Sequence, residues 1–233
     1  MCRHILLFLG LCLFSNCNMD NLKKYQVKKI EQTIQITGNG SDPAWANAVE
    51  LTDFTYPWRE ENAPMTSFKA LWDDDKLYFL YWAEDPDIIA KQDSMGEQDV
   101  VNSDRVEIFF KADDKMDPYY SLEMDALGRV LDTEGRYYRN VDFDWTWPDG
   151  ELILKAVIED NGYWVEGSIS FKSLKQLGVY KEDKILKAGL YRGEYQTKDN
   201  GEVEVKWISW VKPDSETPDF HIPSSFGLLE LVD

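Results

Sequence analysis

The sequence predicts an all-β fold: an antiparallel two-sheet β-sandwich, jelly-roll-like, with at most one short helix. Three observations predict it. Short apolar runs alternate with turn clusters along the chain, helical periodicity is almost absent, and aromatic residues make up 14% of the 233 residues. About ten strands without intervening helices indicate such a sandwich, and no repeat or second domain is visible.

The first 17 residues predict an export signal that is not part of the fold. Arg3 and His4 form a short polar start, and residues 5–14 are apolar but too few to span a bilayer. Cys17 follows small polar residues, as at the cleavage site of a bacterial lipoprotein. We expect lipidation at Cys17, a membrane contact through that anchor, and a cell-envelope location, either periplasmic or surface-facing at the outer membrane. Plain secretion is the alternative.

Charge and cysteine usage narrow the class of protein further. Cys2 and Cys12 lie inside the predicted signal, so no disulfide is expected within the mature domain. The formal net charge of −18 disfavours nucleic acid as a partner and leaves neutral ligands and cations. Residues 18–29 are polar and are predicted to form a tether, which leaves residues 30–233 for the sandwich.

The apolar runs predict the elements in order. The run IEQTIQIT ends at the turn cluster GNGSDPAW, and SFKALW and KLYFLYWAED flank three aspartates as in a hairpin. Asn161-Gly162 is the strongest hairpin signal in the chain, and FKSLKQLG, closed by Gly178, is the one short helix expected. The other predicted strands are DRVEIFF, YYSLEMD, RVLDTE, ELILKAVIED, GYWVEGSISF, KAGLYRGEYQ, VKWISWV and FGLLELV.

The stretch NSDRVEIFF carries the first functional signal. With a period of two, Val106 and Ile108 share an apolar face, while Arg105, Glu107 and Phe109 share the other. A carboxylate in the middle of that second face either meets water or points at a ligand.

The sequence lacks the residues that most catalytic and metal sites require. The mature chain has one histidine, His221. A Ser-His-Asp triad or a Cys-His pair could form only around that residue, and a zinc site would need more His or Cys ligands. Glu123 and Asp125 resemble part of a jelly-roll glucanase motif, but Gly128 stands where the third carboxylate belongs. Haem between Met124 and His221 is a further alternative. We therefore expect no enzyme, with a glycoside hydrolase as the main enzymatic alternative.

Carbohydrate binding fits the residue types better. Sugars present apolar faces that stack on aromatic rings, and hydroxyls that need charged or amide partners. The loop NVDFDWTWPDG places Trp145 and Trp147 in a turn-rich, acidic context, where they either bind a ligand or pack under their own loop.

Several motifs together resemble carbohydrate-binding module family 9, in particular the family 9-like Bacteroidetes lipoproteins. They are DPAW, ALWDDDKLYFLYWAEDPDI, NSDRVEIFF, YYSLEMDALGRV, GYWVEGSISF, WISWV and PSSFGLLEL, and they cover residues 38–231. The resemblance implies a two-sheet β-sandwich, often with structural calcium. It also implies non-catalytic sugar binding, with a sugar unit held between two tryptophans in the characterised members attached to xylanases.

Carried over by position, the family's strand glutamate falls on Glu107, and its sugar-binding arginine falls on Arg129. The second clamp aromatic falls on Phe220, and the first clamp tryptophan falls on Val101, which cannot stack a sugar. Trp145 or Trp147 would then substitute, or the ligand differs, or binding has been lost. Two further residues, Arg105 and Asp125, complete the set of carbohydrate-binding candidates.

The sequence thus predicts a lipoprotein that binds a glycan, as a mono- or oligosaccharide or the end of a polysaccharide, without cleaving it. A surface module that binds another protein is a further alternative. No cofactor is required. Structural calcium fits the alternate spacing of two aspartate pairs, although solvated turns explain them equally well and no metal ligand is assigned. The pairs are Asp85 with Asp87 and Asp142 with Asp144.

Overall fold

Twelve strands make up most of the computed structural model, which describes residues 22–94 and 96–233. Within those ranges there is one α-helix, α1 (Phe171–Gln176), and there are three 3-10 turns, at Pro43–Asn47, Glu97–Asn102 and Pro223–Ser225. The strands are β1 (Lys24–Lys29), β2 (Thr66–Trp72), β3 (Lys76–Glu84), β4 (Arg105–Lys111), β5 (Tyr119–Asp125), β6 (Val130–Arg136), β7 (Asn140–Asp142), β8 (Leu152–Glu159), β9 (Gly162–Ser170), β10 (Ile185–Thr197), β11 (Val203–Ser209) and β12 (Gly227–Val232).

Hydrogen bonds join all twelve strands into one sheet. Its order is β7-β6-β5-β4-β10-β12-β1-β2-β3-β9-β8, and β11 pairs with the free part of β10. The all-β prediction is confirmed, but the pairing does not divide into two separate sheets. The strands are antiparallel except at β1, which pairs in parallel with both β12 and β2. Strand β1 therefore connects the two halves of the sheet.

The sheet curls so that its two halves pack against each other. One hydrophobic cluster contains Phe68 and Tyr81 from β2 and β3 together with Val106 and Ile108 from β4. Across this core the Tyr81 hydroxyl donates a 3.0 Å hydrogen bond to the backbone oxygen of Glu107. The opposite face of β4 points away from this core, and its Phe109 packs in a second, smaller hydrophobic cluster.

Two sequence predictions near the amino terminus are corrected by the structure. Lys24–Lys29, predicted as part of the tether, forms β1 and buries Tyr25 and Val27. Residues 30–37, predicted as a strand, are irregular. Ile34 and Ile36 still pack in a small apolar cluster, because burial of alternate side chains does not require a strand partner.

The short helix and the Asn-Gly hairpin are confirmed. Ser170 caps α1 by accepting a hydrogen bond from the backbone N–H of Ser173. Gly178 ends the helical segment with a φ of +70°, a conformation that favours glycine. Strands β8 and β9 pair directly on either side of residues 160–161.

The predicted signal peptide (residues 1–17) and Cys17 lie outside the described residues. No helix in the described part of the chain has the length and apolar character needed to cross a membrane.

Candidate functional site

A cavity lies on the face of the sheet opposite the main core. Its interior volume is about 210 Å³, and about 530 Å³ when its open mouth is included. Strands β4, β5 and β11 form its floor, and the loop between β11 and β12 forms one wall. The lining residues are Arg105, Glu107, Phe109, Glu123, Arg139, Trp207, Pro218, Asp219, Phe220 and His221.

Strand β4 divides its side chains between the core and this cavity, as the sequence predicted. Val106 and Ile108 belong to the main hydrophobic cluster. Arg105, Glu107 and Phe109 line the cavity. The period of two along an extended strand produces this division, and Glu107 is therefore directed at the cavity instead of the core.

Two carboxylates and one guanidinium form the polar part of the floor. Arg105 Nε lies 2.9 Å from Glu107 Oε1 and 2.8 Å from Glu123 Oε2. Glu107 and Glu123 are directly opposite each other on β4 and β5. Like charges in that position destabilise a sheet, so the guanidinium between them offsets their repulsion.

Glu107 keeps hydrogen-bonding capacity inside this group. Its side chain is 2% exposed, and its Oε1 atom is in an ion pair with Arg105 Nε that does not have the geometry of a hydrogen bond. Burial, together with the charge of Glu123, raises the pKa of Glu107 to about 8 despite the opposing effect of Arg105. Buried polar atoms that lack a hydrogen bond are uncommon in folded proteins, and this one belongs to a residue that lines the cavity.

Arg105 is held by an indole ring across β10. Gly193 pairs with Arg105 on one side and with Trp207 on the other. A Cβ at Gly193 would lie 3.2 Å from both the Arg105 guanidinium and the Trp207 ring. Because glycine leaves that space, the Arg105 Cζ sits 5.3 Å from the centre of the Trp207 ring, a cation–π contact.

Phe220 forms an aromatic wall that rests on a buried tyrosine. Its ring is stacked on Tyr191, with centroids 4.0 Å apart and an interplanar angle of 7°. Trp207 stands perpendicular to Phe220 at 5.8 Å. The Tyr191 hydroxyl donates to Ser225 Oγ at 2.7 Å, and Ser225 donates in turn to the Phe220 backbone oxygen at 2.6 Å. The stacking position of Phe220 is therefore rigid.

The remaining wall is formed by Asp219 and His221. His221 Nδ1 lies 2.8 Å from the Tyr119 hydroxyl, and burial together with the nearby charge of Arg139 lowers the pKa of His221 to about 4. The imidazole is therefore neutral at physiological pH. Met124, on the other face of its strand, lies in the main core. Met124 and His221 therefore do not face each other across a space that could hold haem.

Two predicted site residues, Arg129 and Asp125, lie elsewhere. The Arg129 guanidinium contacts Asp125 at 2.5 Å, Asp99 at 3.4 Å and the Lys91 backbone oxygen at 2.6 Å. Asp125 is fully buried and also accepts hydrogen bonds from the turn that follows β5. The expectation that Arg129 sits beside Glu107 is corrected: Arg105 occupies that place, and neither Arg129 nor Asp125 lines the cavity.

Trp145 and Trp147 do not line the cavity either. Trp147 is buried in the main core and donates to Ser173 Oγ at 3.1 Å. Trp145 packs against Tyr120 and Trp147, with centroids 5.1 and 5.9 Å apart. Packing under their own loop, the alternative weighed from the sequence, accounts for both rings.

Sequence reasoning missed the cavity roles of Glu123, Trp207, Arg139, Asp219 and His221. Glu123 could have been found by pairing DRVEIFF with YYSLEMD, because their register places it opposite Glu107. The Trp207 role required knowledge that β11 pairs with β10. The loop and hairpin residues have no local pattern that predicts their position.

Among the four aspartates considered for calcium, Asp85 and Asp142 contact other groups through their carboxylates. Asp85 lies 3.2 Å from Arg192 Nη2, and Asp142 accepts from the Asp144 backbone N–H. Within residues 22–94 and 96–233, no group of three or more His, Cys, Asp or Glu side chains is arranged to hold a metal ion. Structural calcium stays a prediction.

Solved structures with a similar fold include proteins linked to sugar binding. A candidate carbohydrate-binding protein from Bacteroides uniformis has a TM-score of 0.68 at 18% identity, covering 91% of this chain and all of that one. A family 9 carbohydrate-binding module from Caldicellulosiruptor kristjanssonii, in complex with cellotriose, has a TM-score of 0.56 at 17% identity and covers 90% and 93%. A family 9 module from the same organism, in complex with glucose, has a TM-score of 0.54 at 19% identity, covering 90% of this chain and 96% of that one.

At these identities the structural likeness establishes the fold. No curated protein shows significant sequence similarity to the chain. The sequence profile of the family described as carbohydrate family 9 binding domain-like matches residues 36–233. The match spans most of the chain, including every residue of the cavity. The chain therefore belongs to the carbohydrate family 9 binding domain-like family.

Proposed function

We propose that this protein binds a neutral sugar in the cavity above β4 and does not transform it. The observation that carries the proposal is the buried carboxyl group of Glu107, which Arg105 holds in the floor of a cavity walled by aromatic rings. Domains of this family are non-catalytic carbohydrate-binding modules, so the prediction that the protein is not an enzyme is confirmed.

Each group of the cavity has a role in this proposal. The C–H face of a pyranose stacks on Phe220 or Trp207, whose perpendicular rings offer two orientations. Glu107 and Glu123 form hydrogen bonds with sugar hydroxyls. With its pKa raised to about 8, the Glu107 carboxyl group is mostly protonated at pH 7 and can donate as well as accept. Arg105 offsets the cost of burying the two carboxylates.

Glucose and cellotriose are the first ligands to test, because the Caldicellulosiruptor modules of similar fold bind them. We expect affinities in the micromolar to millimolar range, roughly −8 to −4 kcal/mol.

A binding assay on a glycan array, followed by calorimetric titration, tests the proposal. Glu107→Gln keeps the side-chain volume and replaces the carboxyl group by an amide, and we expect it to weaken binding by about 0.5–1.5 kcal/mol, or roughly 2- to 10-fold. The control Glu31→Gln alters an exposed carboxylate outside the cavity and should leave binding unchanged. Equal affinity of Glu107→Gln and the wild type would contradict the proposal, and release of reducing sugar would favour the glycoside hydrolase alternative.

We also propose that Cys17 is lipidated and anchors the domain in the cell envelope. The support is the sequence of the first 17 residues, a short apolar segment that ends at a cysteine. Labelled palmitate should be incorporated by the wild type in a bacterial host and not by Cys17→Ser. Labelling of both would contradict lipidation at this residue.

A further inference from the structure

Two exposed tyrosines lie beside the proposed sugar site. Tyr137 and Tyr138 are 54% and 56% exposed and form the turn between β6 and β7. Their rings meet edge to face, with centroids 5.4 Å apart. Contiguous exposed apolar surface is more informative than scattered single residues, and these two rings are in contact with each other.

The turn is fastened to the wall of the cavity through Asp219. The Tyr138 hydroxyl donates to Asp219 Oδ2 at 2.6 Å, and Arg139 donates to Asp219 Oδ1 at 2.9 Å. Asp219 Oδ1 also accepts from the His221 backbone N–H at 2.9 Å. Arg139, Asp219 and His221 all line the cavity. The hydroxyl of Tyr138 is thus one residue away from the cavity, while more than half of the side chain remains exposed.

These contacts hold Asp219 as a charged anchor. Burial acts to raise the pKa of Asp219, but hydrogen bonds from Tyr138, the His221 backbone and Arg139 outweigh it, so the pKa is lowered. The Arg139 guanidinium also lies 5.7 Å from the Tyr138 ring centre. The ring is therefore held in one orientation before a ligand arrives, which reduces the entropy lost on binding.

The size of the cavity indicates where a longer ligand would go. Its interior of about 210 Å³ is smaller than the roughly 300–1,000 Å³ of pockets that enclose drug-sized ligands. A ligand larger than a single sugar ring therefore has to leave through the mouth and cross the rim.

We propose that Tyr138 is a second stacking platform, and that the preferred ligand is a neutral oligosaccharide of at least two rings. One ring occupies the cavity, and the next lies on Tyr138. This inference rests on the proposed function, because it assigns a second subsite to the same site. The exposed ring with its hydroxyl tied to Asp219 supplies the apolar face that a second pyranose requires.

Calorimetric titration with glucose and cellotriose tests the inference. The wild type should bind cellotriose more tightly than glucose. Tyr138→Ala should lower the affinity for cellotriose by about 2- to 10-fold and leave the affinity for glucose unchanged. Tyr138→Phe keeps the ring and should keep most of the preference for cellotriose. Phe143→Ala removes a ring with 54% exposure that does not line the cavity, and should change neither affinity.

Three results would overturn the inference while leaving the proposed function intact. They are equal affinity of the wild type for the two sugars, no effect of Tyr138→Ala, and an equal loss for both sugars in that variant. The last result would mean that Tyr138 acts only by positioning Asp219. Two other results would count against the proposed function itself. In the first, the wild type binds neither sugar; in the second, Glu107→Gln binds both sugars as tightly as the wild type does.

Discussion

Glu107 and Asp104 are the carboxyl groups on which the pH dependence of this protein depends most. Burial raises the pKa of Glu107 to about 8 from its ordinary value of 4.5. Burial and the charge of Asp85 likewise raise the pKa of Asp104 to about 8 from 3.8. Between the ordinary and the raised pKa of each group, the folded chain binds more protons than the unfolded chain. The stability of the fold therefore decreases as the pH rises through that range. His221, with its pKa lowered from 6.5 to about 4, acts in the opposite direction but only below about pH 6.5.

We therefore expect the free energy of unfolding to decrease between pH 6.5 and pH 8. Each raised carboxyl contributes at most about 1.4 kcal/mol per pH unit. Glu107→Gln should make the decrease shallower, because glutamine does not titrate. Urea unfolding of both proteins at several pH values measures the two slopes, and identical slopes would show that Glu107 titrates normally.

At the scale of the element, β10 organises the site. One edge of β10 pairs with β4, and the other pairs first with β12 and then with β11. Its glycines make room for the functional side chains. Gly193 lets Arg105 meet Trp207, and a Cβ at Gly189 would lie 1.9 Å from the Tyr191 hydroxyl oxygen. The Tyr191 ring thus lies over Gly189 and supports Phe220 from beneath.

Gly189→Ala should displace Tyr191 and, with it, the Phe220 ring. Tyr191 is fully buried and bonded to Ser225, so we expect an overpacking cost of about 1–3 kcal/mol in the free energy of unfolding, together with weaker sugar binding. Chemical unfolding and titration measure the two effects. Gly96→Ala, where the nearest atom would be 3.5 Å away, is the matched control. Unchanged binding in Gly189→Ala would mean that the Phe220 stack does not contribute.

At the scale of the whole molecule, β1 determines whether the two halves of the sheet form one unit. It pairs with β12 through five residue pairs and with β2 through two. Tyr25 and Val27 enter the main core. The strand β12 therefore pairs with β1, the first described strand, near the centre of the sheet.

A chain that begins at residue 30 should be less stable than one that begins at residue 22. Loss of the buried Val27 side chain alone costs about 1.5–3 kcal/mol, and the loss of Tyr25 and of the strand pairing adds to it. Urea unfolding compares the two proteins. Equal midpoints would mean that β1 is dispensable and that the predicted boundary at residue 30 is adequate for folding.

Most of the strands could be predicted because their information is local. Alternation in DRVEIFF assigns Val106 to the core and Glu107 to the opposite face before any partner is known. The same alternation is present in β1, where Tyr25 and Val27 point inward, but the three lysines in KYQVKK make the segment resemble a tether. The polar composition of this segment favours a tether, and two alternating apolar residues are too short a pattern to predict a strand. Only the pairing with β12 shows that the segment is a strand.

The sequence alone determined the all-β class, the faces of β4, the family and the choice of Glu107 and Phe220, which both line the cavity, because strand periodicity and motif order are properties of neighbouring residues. Only the tertiary structure decided that Arg105 and not Arg129 meets Glu107, that Trp145 and Trp147 belong to the core, and that Tyr138 reaches the cavity through Asp219. These outcomes depend on strand register and loop packing, which contacts between residues distant in the chain determine.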